Sequence, residues 1–417
     1  MQLEEGLFRR ESGRIVTALT RLFGLNNLTL AEDVAQDAFC RALEVWKLRG
    51  IPNNPSAWLM TTAKNRAIDI LRRERAARHL VPELGAALES EWTLVPTVGN
   101  FFNPETIKDD QLRMMFSCCD PALSEEAQIA LILNLLCGFS ANEIAGAFLT
   151  GRAAIEKRIA RGKKSLAKSR RLFELSDRDF IARLAAVQRA LYLLFNEGYH
   201  GASSRSPVRA ELCRDAMRLG ALLLEQPLTA TPQSYALCAL MWLHAARLPA
   251  RIDATGNLRS LFEQDRSRWN ASLIAQGGEY LARSTMGGKT SEYQIEAAIA
   301  AVHARASSAE TTDWKMIVTM YDSLMTINPS PVIALNRAIA IAQSEGPERG
   351  IEELRSIADS DRLAHYPFYS AAFGEMELRR GQRESARRYF ETALSLARNP
   401  AERHFLEGRV SATESAR

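Results

Sequence analysis

The sequence has no apolar run approaching the roughly 18 residues of a membrane-spanning helix. Its 47% apolar and 24% charged residues are in the proportions of a soluble globular protein. The opening residues, MQLEEGLFRRESGR, alternate acids and bases without the apolar centre of a secretion signal, so a cytoplasmic location and no membrane partner are expected. Six cysteines (Cys40, Cys118, Cys119, Cys137, Cys213, Cys238) form no C-x-x-C pair and have no histidines at ligand spacing. That argues against a metal site and leaves them as small core residues of a reduced protein. Adjacent Cys118 and Cys119 offer a redox switch only if their thiols are accessible and electropositive. Strand signals are nearly absent, which predicts an all-α fold. Charge of one sign is also lacking: 53 basic against 49 acidic residues give a net charge of +4. That is too mild to indicate nucleic-acid binding, so the distribution of charge has to decide.

With 417 residues the chain is long enough for two or three domains with real cores. Its organising stretch runs from Leu30 to Arg75. In the first half, apolar Val34, Ala38, Leu43 and Val45 recur at helical spacing among acids and amides. An amphipathic helix there shows Glu32, Asp33, Gln36 and Asp37 to a partner. After Pro52 and Pro55 a second helix is expected to start at Ser56 as N-cap, with Trp58, Leu59, Ala63, Ile68 and Leu71 inward. Its opposite face carries Lys64, Asn65, Arg66, Arg72, Arg73 and Arg75, a cationic surface with amides and an aromatic at its start that suits single-stranded DNA.

Past Arg78 the stretch VPELGAALESEWTLVPTVGNFFNPET has no sustained period and reads as a linker. Helices resume at Asp109, break at Asp120 and Pro121, and restart at Ser124 with the stripe Leu131, Ile132, Leu135 and Leu136, ended by Gly138. In FSANEIAGAFLTGRAAIEKRIARGKKSLAKSRR, Ser140 caps a short helix, Thr150 and Gly151 turn, and a basic helix follows with Ile155, Ile159 and Leu166 inward. By itself this pattern fits either a DNA-binding helix-turn-helix or a packed helical hairpin.

AEDVAQDAF, a following Trp, NPSAWL and AKNRAIDILRR together resemble the core-binding and promoter-melting region of bacterial sigma factors of the extracytoplasmic-function type. The segment around GFSANEIA resembles the sigma domain that reads the upstream promoter element. It departs from that domain at Gly151, where the family often has proline, and at Glu156, where many members are basic. The resemblance implies core RNA polymerase and promoter DNA as partners, no cofactor and no catalysis. Asp33, Gln36, Asp37 and Phe39 would engage the polymerase clamp. The loop from Gly50 through Asn54 to Ser56, with Trp58, Lys64 and Asn65, would handle a flipped base of the minus-ten element, and Arg72, Arg73 and Arg75 its phosphates. Arg152, Lys157, Arg158, Arg161, Lys163 and Lys164 would face the minus-thirty-five element.

Beyond Ser176 the chain continues in helix pairs, with Leu184, Val187, Leu191 and Leu194 on one face and then Leu212, Met217 and Leu222. Ile317, Tyr321, Leu324 and Pro329, then Gly350, Leu354 and Ile357, then Ala386, Phe390 and Ala393 recur at roughly 33 to 36 residues, the tetratricopeptide period. Gly374 takes the small-residue position of the last copy. Glu197, His200, Asp265, Arg266, Arg268 and Trp269 stand out, but no nucleophile, base and orienter occur together, and intramolecular hydrogen bonds or an interface are expected of them. These stretches resemble the sigma subgroup with a C-terminal tetratricopeptide-like extension, which is thought to replace a separate regulator and implies an unknown ligand or protein partner.

The expected organisation is an all-α chain of two small helical sigma domains joined by a linker and followed by an α-helical, tetratricopeptide-like C-terminal domain. Its parts are region 2 over residues 1–80, linker 81–108, region 4 over 109–172, a helical extension 173–290 and repeats 291–417. The expected function is an alternative sigma factor regulated by its extension. A helix-turn-helix repressor with a ligand-sensing helical domain is the alternative; it would bind duplex operator without polymerase. A tetratricopeptide scaffold or enzyme with fortuitous basic helices would bind no promoter at all.

Overall fold

A computed structural model describes residues 2–24, 27–77, 98–147, 151–168, 175–200, 208–253, 257–287 and 289–414, and among them there are helices, turns and one isolated bridge between Ile252 and Leu258, but no strand. The all-α expectation holds. The chain divides into two compact units, Met1–Leu194 and Phe195–Arg417.

In the first unit α1 (Gln2–Phe23) is the hub. It packs against α2 (Leu28–Arg49), α3 (Pro55–Ala77), α4 (Pro104–Cys118) and α5 (Glu125–Leu135). It can do so because Ile15, Val16, Ala18, Leu19 and Leu22 are buried and its polar positions between them turn their donors inward: the Thr17 and Thr20 hydroxyls each donate at 2.6 Å to a carbonyl one turn back. Gly13 lets α1 meet the end of α5 backbone to backbone, since a Cβ there would lie 2.0 Å from the Leu136 carbonyl oxygen. Helix α4 begins ahead of Asp109, inside the stretch read as linker. Proline at its first position is pre-set for helix, and Val98 and Phe102 just before it are buried. Ser124 caps α5 and Ser140 forms a capping box with Glu143 on α6 (Ala141–Ala147), both as the sequence predicts. Helix α7 (Arg152–Lys168) follows; Thr150 of the predicted turn lies outside the described residues.

Five of the six cysteines are buried, and burial pushes the Cys118 thiol up to about 12 and Cys119 well above its ordinary value. The adjacent pair therefore lacks the accessible thiolate that a redox switch needs.

Asp110 of α4 is 3% exposed, 3.9 Å from Arg21, and burial raises its carboxyl to about 6. A carboxyl whose folded value lies above its unfolded one binds more protons when folded, so its contribution falls as pH rises from about 4 to 6. Asp110→Asn should remove that penalty. The expected gain is about 1–3 kcal/mol at pH 8 and little at pH 4, read by urea unfolding at both pH values.

Helix α8 (Asp177–His200) runs from the first unit into the second. Its early part belongs to the first: Phe180 lies 4.7 Å from Phe116, and Arg183 bonds the Phe116 carbonyl and Asp120 at 3.3 and 3.1 Å. The second unit has α10 (Pro232–Ala245) as its centre, buried along nearly its whole length against α9 (Ala210–Glu225), α12 (Ala271–Ser284) and α13 (Glu292–Arg305), with the one-turn α11 (Leu248–Arg251) after it. Beyond these, α14 (Trp314–Ile327), α15 (Pro331–Ser344), α16 (Pro347–Arg355), α17 (Pro367–Arg379), α18 (Arg383–Ser395) and α19 (Pro400–Glu414) each pack on the next. Ile317, Leu324, Leu354, Ala386, Phe390 and Ala393 are core, and Gly374 admits the Phe390 ring, which would lie 2.7 Å from an added Cβ.

Candidate polymerase and nucleic-acid interface

On α2 the buried stripe is Leu28, Ala31, Val34, Ala35, Ala38, Ala42 and Trp46. Asp33, Gln36 and Asp37 occupy the opposite, exposed face, and Glu32 is half-buried. Phe39 is half-buried, stacked 5.1 Å from Phe8 of α1, and the row continues through Trp46 to Trp58 of α3 at 5.6 and 5.5 Å. Leu43, read from sequence as inward, is 50% exposed, and Leu48 and Ile51 beyond it are 85% and 54% exposed. Small alanines supply the packing face instead, bringing α2 close to its neighbours and leaving the larger leucines outside. An acidic face thus continues into an exposed apolar one.

Gly50, with φ of 79°, turns the chain out of α2. The next helix starts two residues earlier than predicted. Pro55 takes its first position and the Asn54 side-chain oxygen accepts from the Ala57 amide at 3.0 Å, so Asn54 is the cap and Ser56 lies inside α3. Leu59, Ala63, Ile68 and Leu71 are buried as expected. Asn65, Arg72 and Arg73 are exposed, Lys64 and Ser56 half-buried, and the Arg75 side chain lies outside the described residues. Gly99 lies beside Lys64 of this face: a Cβ on it would sit 3.4 Å from the Lys64 ammonium. Arg66 bridges α3 to Asp37 of α2 at 3.2 Å, an exposed pair worth under about 1 kcal/mol and readily exchanged for another partner.

Helix α7 buries Ile155, Ile159 and Leu166, and Gly162 lets it close on Leu131 of α5. Arg152, Lys157, Arg161 and Lys164 are exposed and Arg158 half-buried. Glu156 pairs with Arg152 one turn away at 2.7 Å, so the acid that departs from the sigma pattern is neutralised within its own helix. Lys163 reaches Glu32 of α2 at 2.6 Å, joining a residue assigned to DNA with one assigned to a protein partner. Nothing in the sequence periodicity pairs residues so far apart.

In the second unit, Arg266 donates to the His303 and Ala306 carbonyls at 2.8 and 2.9 Å, closing the end of α13, and to the Thr312 hydroxyl at 3.1 Å. Asp265 accepts from the Ser267 hydroxyl and amide at 2.6 and 3.0 Å, bonds that hold its carboxyl below the ordinary range. Both are held by the intramolecular hydrogen bonds expected of them. Glu197 is raised by burial to about 7.

Residues 7–77 match sigma-70 region 2, and residues 183–285 match a family of unknown function (DUF6596). Uncharacterized protein R00370 of Rhizobium meliloti (strain 1021) is 38% identical over 391 residues, 93% of this chain and 90% of its own length. The chain belongs to the same family as that protein. The match to region 2 spans α2 and α3 with all the surface just described up to Ala77. More distantly, the ECF RNA polymerase sigma factors SigK of Mycobacterium sp. strains KMS and JLS are each 27% identical over 164 residues, 38% of this chain and 79% of theirs. No solved structure matches the chain at a significant level.

No helix among the described residues is long and apolar enough to cross a membrane.

Proposed function

We propose that the protein is an alternative sigma factor that binds core RNA polymerase, recognises and melts promoter DNA, acts in the cytoplasm and performs no chemistry of its own. One observation carries the reading. Within the segment that matches sigma-70 region 2, α2 and α3 form one packed pair whose exposed faces are acidic with apolar residues on one helix and basic on the other. Asp33, Gln36 and Asp37 face the polymerase clamp, with Leu43 and Leu48 as apolar neighbours; Phe39 supports the face from behind through Phe8. Asn54, Ser56, Trp58, Lys64 and Asn65 form the minus-ten surface, flanked by Arg72, Arg73 and Arg75 on phosphates.

Helices α6 and α7 act as the helix-turn-helix of region 4, over residues 109–172, with Arg152, Lys157, Arg158, Arg161 and Lys164 toward the minus-thirty-five element. Lys163 joins them after exchanging Glu32 for a phosphate. Region 2 covers residues 1–80 and the linker 81–108; a helical extension over 173–290 and tetratricopeptide-like repeats over 291–417 regulate the sigma domains by docking a ligand or protein partner. Residues buried at the repeat spacing, from Ile317 to Phe390, support the repeat reading.

Run-off transcription with core enzyme on the protein's own upstream region tests the assignment; absence of a polymerase complex would refute it. Within that assay, Asn65→Ala should leave promoter binding intact while permanganate reactivity of the melted strand falls at least tenfold. Lys157→Ala with Arg161→Ala should instead weaken upstream binding and lower its salt slope by about 2. Normal melting by Asn65→Ala would remove its base-trapping role.

A further inference from the structure

Several arginines of the second unit pair with acids. Arg337 meets Asp322 and Glu353 at 2.6 Å each, and Arg398 meets Glu402 at 2.6 Å. One group departs from this habit. Arg247, just after α10, is only 8% exposed, makes no ion pair with a carboxylate among the described residues, and has the Gln264 side-chain oxygen, at 3.3 Å, as the acceptor for its Nε. Its guanidinium lies 5.9 Å from the Tyr199 ring and 5.4 Å from the Trp269 ring. Arg251 covers the same Tyr199 ring at 4.1 Å, donates to the Tyr199 carbonyl at 3.1 Å and approaches His200 Nδ1 at 3.2 Å. Arg266 covers the same Trp269 ring at 5.1 Å. Three cations are thus gathered around two aromatic rings.

A buried guanidinium without a counter-charge is unfavourable, and the cluster also contains polar atoms without partners. The Tyr199 hydroxyl, His244 Nδ1, Trp269 Nε1 and His303 Nδ1 are all buried with no hydrogen-bond partner among the described residues. Tyr199 and His244 rings lie 5.1 Å apart. Burial, reinforced by Arg247, pushes both His244 and His303 down to about 3, so both are neutral imidazoles at neutral pH. The sequence signal was a histidine and two arginines toward the end of the largely apolar SYALCALMWLHAARLPARI.

We infer that this cluster is the binding site of a small organic oxyanion, a phosphate ester or a carboxylate, with Arg247 as its buried counter-ion and Tyr199 and Trp269 as neutral donors and apolar walls. A guanidinium fork matches either anion in two parallel bonds, and half-buried Arg251 and exposed His200 leave the group open to solvent on one side. The site lies wholly within the second unit and does not depend on the sigma reading, since its test measures binding rather than transcription.

The test is calorimetry and thermal melting of the full-length protein with inorganic phosphate and, separately, citrate, each against sodium chloride at matched ionic strength. At least one of the two should bind saturably at millimolar concentration or below and raise the melting temperature; which one does so identifies the anion class. Arg247→Met, which keeps the length and removes the charge, should weaken that binding at least tenfold and melt no lower than the wild type without anion. Tyr199→Phe, a milder change, should weaken it several-fold. Effects no larger than those of chloride, or binding unchanged in Tyr199→Phe and in a folded Arg247→Met, would overturn the assignment.

Discussion

Asp33→Lys combined with Asp37→Lys is expected to weaken the complex with core RNA polymerase at least about 100-fold while the protein stays folded. Both carboxylates are exposed, and between them Val34 and Ala35 keep α2 seated on its neighbours whatever the charge outside. Internally the double change removes only the 3.2 Å contact of Asp37 with Arg66 and sets two cations side by side, a loss of about 1 kcal/mol against the fold. Against a basic partner surface, two charges are reversed, a change of four units. Such changes act first on the association rate and its salt dependence, so the affinity should be measured at low and moderate salt. A loss of 100-fold corresponds to about 2.7 kcal/mol, within reach of two reversed contacts. Unchanged affinity with an unchanged circular dichroism spectrum would show that polymerase binds elsewhere.

A chain ending at Arg171 is expected to be much less stable than one ending at Leu194. The shorter chain loses Phe180, whose ring meets Phe116 at 4.7 Å and lies 5.8 Å below the Arg113 guanidinium, and loses Arg183, which bonds Asp120. Deleting a buried phenylalanine alone removes about 3–5 kcal/mol, a large share of a domain's total. The urea midpoint of the shorter chain should therefore fall steeply, and Phe180→Ala in the full-length protein should reproduce part of the fall. Equal midpoints would mean that α8 contributes nothing to the first unit. With the border placed at Leu194, run-off transcription by the truncated and complete proteins at equal folded concentration measures what the extension adds. We expect transcription to be lost without it; identical activity, with cell extract as a source of ligand, would make the extension an independent module.

Periodicity revealed the helices and most of their buried faces, because burial of apolar side chains at 3.6-residue spacing is a local property. Leu59, Ile68, Leu131, Ile155 and Phe390 all lie where their spacing puts them. It misplaced Leu43 because apolar character alone does not say which of two faces packs, and α2 uses alanines to bring backbones close. It chose Ser56 over Asn54 although Pro55, pre-set for the first helical position, makes Asn54 the cap. Of the interface, the exposed acids of α2 and bases of α3 were legible, being the complement of a buried stripe. Lys163 with Glu32, and Arg247 between Tyr199 and Trp269, were not, since each joins residues that only the tertiary fold brings near.

The contact of α1 with the end of α5 has a consequence for how this sequence can vary. Every amino acid but glycine carries the carbon that would stand 2.0 Å from the Leu136 carbonyl oxygen, and a backbone atom, unlike a side chain, has no alternative rotamer to retreat to. Position 13 is thus closed to drift by single steps, even though alanine would otherwise favour the helix by about 1 kcal/mol. A lineage that replaced this glycine would first have to give up the contact or move Leu136, so an alanine or larger residue there marks a relative whose α1 and α5 are spaced differently.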